Sequence, residues 1–176
     1  MTIDAGLEYH ALLPLAWQDG PPAPHQVTEW MHENVIAFNA FTALEGSSHE
    51  YELDRTTNVD YTTARLDAKM DLLMQWMAKL LLAQQPLPPT TAVILSAKSI
   101  NWKCPFEFTP GQFGVISLYL APHLPMPLVF PVQIQHCADG QVQARLQQLS
   151  EEAQDGLERT LFRHHRRALH ARSGRI

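Results

Sequence analysis

The sequence predicts a mainly β fold with α insertions: a compact antiparallel β-barrel with two inserted helices and a C-terminal helix. Three observations carry this expectation. The hydrophobic period is helical from His25 to about Gln85, then shifts to near two. The apolar segments after that shift are short, evenly spaced and separated by turn signals. A last segment opens on Ser150-Glu151-Glu152 and ends in arginines, the charge order that suits a helix dipole.

Glu8 to Trp17 alternates loosely and stops before Gln18-Asp19-Gly20-Pro21-Pro22, so it is the first strand. From His25 to Glu45, the residues Val27, Trp30, Met31, Val35, Phe38, Phe41 and Leu44 recur at helical steps and make one apolar face. Gly46 is a suitable stop for that helix. A polar loop from Ser47 to Asn58 grades into a second helix that starts between Asp54 and Thr63 and is ended by Pro86, Pro88 and Pro89. Strand-like runs follow at Thr91 to Cys104, Gln112 to Ala121, Met126 to Cys137 and Gln141 to Leu149. Their separators are Thr109-Pro110-Gly111, Pro122 to Pro125 and Asp139-Gly140. Residues 1–176 read as a single domain, with 25–85 as the inserted helical pair and 150–172 as the terminal helix with its basic tail.

With 176 residues, 45% of them apolar and 18% charged, the chain has material for a core without disulfide or metal staples. Its formal charge of −5 conceals an asymmetry, since no Lys or Arg precedes Arg55 while Arg159, Arg163, Arg166, Arg167, Arg172 and Arg175 crowd the end. An acidic balance with no reading motif argues against nucleic acid as a partner. The first residues lack a basic stretch followed by an apolar run, and the apolar segment Leu72 to Ala83 is too short to span a bilayer. The expectation is therefore a cytoplasmic protein without a membrane partner. Cys104 and Cys137 are read as reduced thiols that could face each other on neighbouring strands.

The sharpest pattern is Leu66, Met70, Leu73, Met77, Leu80, which places Met at heptad a positions and Leu at d positions. Thr63 and Gln84 extend the register with polar ends. Met74 and Leu81 at e and Trp76 at g widen the stripe beyond a two-stranded seam. Such a stripe fits an ordinary core face as well as an oligomer interface, and it covers barely three heptads.

Two blocks carry a family resemblance. The first is Leu12-Leu13-Pro14-Leu15-Ala16-Trp17, then two helices and Gln85-Pro86-Leu87-Pro88. The second is Leu95-Ser96-Ala97-Lys98-Ser99-Ile100-Asn101-Trp102, Pro110-Gly111, Leu118-Tyr119-Leu120-Ala121-Pro122, Leu128 to Gln135, and Leu157 to Arg166. Together they resemble the atypical, tetramer-forming PilZ domain family of xanthomonads and related bacteria. The resemblance implies a six-stranded PilZ-like antiparallel β-barrel, a homotetramer built on the heptad helix, and a place in cyclic di-GMP signalling, motility and virulence.

Ordinary cyclic di-GMP receptors of that superfamily use an Arg-x-x-x-Arg pair before the barrel and an Asp/Asn-x-Ser-x-x-Gly segment, because a doubly charged ligand needs guanidinium forks and close backbone approach. Here the aligned segment is Ile94-Leu95-Ser96-Ala97-Lys98-Ser99, a degenerate motif that retains only Ser96 and has Ser99 in the glycine's place. No arginine pair precedes the barrel, which disfavours direct cyclic di-GMP binding in the usual mode. Arg163-His164-His165-Arg166-Arg167 matches the pair in letters but follows the barrel. Arg163, Arg166 and Arg167 read as cations suited to a helix C-terminus, with an anion or partner contact as the alternative.

No nucleophile context, phosphate loop or converging carboxylate pair accompanies Glu50, Glu52 and Asp54, and His136-Cys137 lacks paired metal-ligand spacing. Trp30, Phe38, Phe41, Trp76 and Trp102 read as core or interface anchors, with Trp102 partly exposed. The sequence thus predicts a non-catalytic signalling adaptor without cofactor or metal, which self-assembles and presents surfaces to an unidentified signalling protein. The alternative is a cyclic di-GMP receptor with a rearranged arginine site.

Overall fold

The computed structural model describes residues 7–50, 58–84, 86–121 and 126–173. Its elements in order are β1 (Tyr9–Asp19), α1 (Pro24–Glu50), α2 (Asn58–Gln84), β2 (Thr90–Leu95), β3 (Ser99–Lys103), β4 (Phe113–Leu118), β5 (Leu128–Ala138), β6 (Gln141–Leu146) and α3 (Glu151–Ser173). The six strands close into an antiparallel barrel in the order β1-β2-β3-β6-β5-β4, with β4 returning to β1. Both long helices are inserted between β1 and β2.

The register follows from alternation. Leu13 and Leu15 of β1, Val93 and Leu95 of β2, Ile100 and Trp102 of β3, and Ile116 and Leu118 of β4 all enter the core. In β6 the exposed and buried residues alternate without a break, and Val142, Ala144 and Leu146 are the buried set. The β5–β6 hairpin turns on Asp139 and Gly140 between the pair Ala138 and Gln141. Both turn residues have positive φ, 52° and 71°, as a two-residue turn matched to strand twist requires.

Two predicted elements differ in detail. The run from Thr91 to Cys104 is two strands, because Ser96 to Ser99 forms a tight turn and Leu95 pairs with Ile100. The first helix runs through Gly46 to Glu50, since an interior glycine weakens a helix by only about 1 kcal/mol and permits a stop without imposing one. Of the predicted loop from Ser47 to Asn58, residues 51–57 lie outside the described residues, as do residues 122–125 of the turn before β5. Trp102 is buried rather than partly exposed, packed with Trp17 at 6.1 Å and with Phe108 at 6.1 Å between ring centroids. Cys104 follows β3 and Cys137 lies in β5. These strands flank β6, so the two thiols are not on neighbouring strands.

α1 and α3 pack on each other and on the barrel. Val27 and Met31 of α1 meet Ala153 of α3, while Phe38, Phe41, Leu157 and Leu161 join the barrel core. The helices cross closely at Gly156, where a Cβ would stand 2.7 Å from Phe38 Cδ2. Only glycine leaves room for that ring.

Candidate functional site

Helix α2 spans 27 residues, about 40 Å at the usual helical rise. Among the described residues it packs on no other element of its own chain. Its five heptad residues Leu66, Met70, Leu73, Met77 and Leu80 are exposed by 56–66%. Leu72, Met74, Trp76 and Leu81 are exposed beside them. The predicted positions therefore share one helix face, and that face is bare. An apolar surface this long is rarely left to water by a stable monomer. The side chains of Thr63 and Gln84, predicted to end the register, lie outside the described residues.

The degenerate ligand motif is a closed turn. Ser96 N–H donates to Ser99 O at 2.9 Å, and Ser96 Oγ accepts from Ser99 N–H at 3.0 Å. Ser96 Oγ and Ser99 Oγ are also hydrogen-bonded at 2.9 Å. Both hydroxyls therefore hold the β2–β3 turn together.

The basic end of α3 comes to the barrel beside this turn. His164 stacks on Tyr9, ring centroids 4.4 Å apart, and Tyr9 pairs in register with Leu95, the residue before Ser96. Arg163 is half-buried, and its Nη2 donates to Thr160 Oγ1 at 3.2 Å. Arg166 is exposed, and the side chain of Arg167 lies outside the described residues. Ser150 caps the other end, with its Oγ accepting from Ala153 N–H at 3.2 Å. The structure thus sets His164, which lies between the predicted arginines, against the strand that flanks the predicted motif. It places the heptad residues on a separate element.

A cavity of about 200 Å³ between α1 and α3 is lined in part by Phe38, Asn39, Thr42, Glu152, Asp155 and Arg159. Its two carboxylates suit it poorly to a phosphate ligand, and Arg159 is already paired with Asp155. Among the described residues, no three His, Cys, Asp or Glu side chains gather as a metal site, and no helix is long and apolar enough to cross a membrane.

Sequence reasoning missed two residues of consequence. Asn34 is fully buried in α1, where its Nδ2 donates to Val129 O at 2.8 Å and its Oδ1 accepts from Val129 N–H at 2.9 Å. Its signal was a polar side chain in step with Val27, Met31, Phe38 and Phe41. Phe162, 53% exposed on the outer face of α3, was readable only as part of a block.

A closed six-stranded antiparallel barrel with a helix packed on it is the architecture of a PilZ-type domain. Residues 39–174 match the family model described as an atypical PilZ domain, cyclic di-GMP receptor, and the chain belongs to that family. No curated protein matches it. Among solved structures, the chain is similar to a pathogenic protein from Xanthomonas campestris, with a TM-score of 0.77 and 24% identity over 95% of this chain and 92% of that one. That protein is described as a tetrameric PilZ domain self-assembled via an unusual helical bundle. At this identity the likeness is one of fold.

Proposed function

We propose that this chain is a non-catalytic PilZ signalling adaptor that self-assembles through α2 and does not bind cyclic di-GMP in the usual mode. The observation that carries the assembly is the bare heptad face of α2, which no other described element of its own chain covers. Apolar residues at a, d, e and g make a seam wide enough for more than two helices. Four is the preferred number, because the Xanthomonas campestris structure of the same fold is a tetramer held by a helical bundle. The closed hydrogen bonding of Ser96 and Ser99 supports the loss of the usual ligand mode. The expected setting is a cytoplasmic pathway governing motility or virulence, with the barrel and α3 facing a protein partner.

Light scattering tests the assembly. The intact chain should show the mass of four copies, unchanged by cyclic di-GMP, and a Leu73→Asp/Leu80→Asp variant should be smaller. An unchanged mass in that variant sinks the assignment of the seam.

One observation favours a second reading, a cyclic di-GMP receptor with a rearranged site. The His164–Tyr9 stack sets the arginine-bearing part of α3 beside the strand that flanks the Ser96 turn. Guanidinium groups there would meet phosphate from the opposite side of the chain to the usual pair. Calorimetric titration decides between the two readings. Micromolar binding that disappears in Arg163→Ala would establish the second and remove the ligand clause of the first.

A further inference from the structure

The outer face of α3 belongs neither to the core nor to the seam on α2, and it has an unusual charge order. Exposed Glu151, Glu152, Asp155 and Glu158 occupy its first half with one cation, Arg159, which is paired with Asp155, and exposed His165 and Arg166 stand in its second. Phe162 stands between the two sets, 53% exposed. At 100° per residue, Glu151, Asp155, Glu158, Phe162 and Arg166 fall within one narrow stripe, opposite buried Ala153, Leu157 and Thr160. A surface whose charge changes sign across a central aromatic ring is complementary to itself when one copy is turned end for end.

We propose that α3 pairs with the α3 of a second copy, antiparallel, with the two Phe162 rings in contact at the two-fold axis. The axis at Phe162 then sets each copy's Glu158, four residues before it, opposite the other copy's Arg166, four residues after it. A parallel pairing would set Glu against Glu and Arg against Arg, which electrostatics disfavours. Phe162 supplies the desolvated centre and the charges supply direction. One helix face is a small interface, so the contact is weak between single chains. It strengthens when each particle carries several copies. The contact rests on α3 alone. If α2 also assembles the chain, α3 pairing links those assemblies to one another rather than adding to any one of them.

Single cysteines in a Cys104→Ser/Cys137→Ser background test the geometry under mild oxidation. With Phe162→Cys at the axis, the two thiols meet and a covalent dimer forms in high yield. With Glu151→Cys on the same stripe, antiparallel pairing separates the two thiols by about 33 Å, and no dimer forms. Dimers from both variants, or from neither, overturn the proposal. A second measurement needs no cysteine. In the Leu73→Asp/Leu80→Asp variant, the mass should rise with chain concentration towards about 1 mM at low salt. The rise should vanish in 0.5 M salt or on adding Phe162→Glu. A mass indifferent to both changes rules out the α3 contact, whatever α2 does.

Discussion

Asn34 does with a side chain what a neighbouring strand does with its backbone. β5 pairs with β6 only from Val132 onward, so the stretch before it needs other partners on that side. The Asn34 amide supplies one, meeting both the N–H and the C=O of Val129. Gln147 N–H supplies another, donating to Pro131 O at 2.8 Å. Asn34→Ala leaves both Val129 groups buried without a partner, and should cost roughly 2–5 kcal/mol in denaturant unfolding. Gly156 offers an opposing test. Alanine favours a helix over glycine by about 1 kcal/mol, yet its Cβ would meet the Phe38 ring at 2.7 Å. Overpacking of this kind costs roughly 1–3 kcal/mol, so Gly156→Ala should lower the melting temperature. Adding Phe38→Leu should recover part of that loss. Neither residue announces its role in the sequence. A lone Asn in an apolar stripe is ordinary, and a mid-helix Gly reads as weakness until the crossing helix is seen. The serines are different. The sequence singles out Ser96 and Ser99 as a degenerate motif, and in the fold they hydrogen-bond to each other within the β2–β3 turn.

α2 differs from every other element in having its best-formed pattern and its least covered surface on the same residues. A Leu at d in a closed bundle removes most of its apolar area from water, about 1.5–3 kcal/mol for each side chain. Leu73→Asp replaces that gain with charges facing one another, so even the single variant should weaken assembly, and concentration-dependent sedimentation should show the shift. Leu72, at heptad c, serves as the control. It is 48% exposed but lies off the a/d line, so Leu72→Gln should leave the mass unchanged. Elements of this kind were legible because period and punctuation agree. The prolines after α2 end it, the Asp139-Gly140 pair turns β5 into β6, and the Ser150 cap opens α3. The split between β2 and β3 was not legible. Ser96-Ala97-Lys98-Ser99 contains neither Gly nor Pro, and its turn is held by side-chain hydroxyls that a propensity count does not weigh. The bareness of the heptad stripe was likewise beyond sequence alone, since a core face and a seam share one period.

At the scale of the whole molecule, the chain divides into parts with different sources of stability. The barrel with α1 and α3 has one shared core, in which Trp17 and Trp102 stack with their ring planes 28° apart. Among the described residues α2 makes no contact with that core, so its helical form depends on whatever covers its apolar face. Isolated helices are marginal in water, and among the described residues this one has no packing help from the barrel. Unfolding should therefore occur in two stages. Far-ultraviolet circular dichroism should lose the α2 share, about a third of the helical residues, at a temperature that rises with protein concentration. The near-ultraviolet signal of the Trp17–Trp102 pair should persist beyond that loss and melt at a temperature independent of concentration. Leu73→Asp/Leu80→Asp should abolish the first stage by removing it from the starting spectrum, and leave the second where it was. A single transition seen by both probes, moving as one with concentration, would mean that the barrel leans on the assembled helices. In that case α2 is not the separable assembly element that its lack of contacts implies.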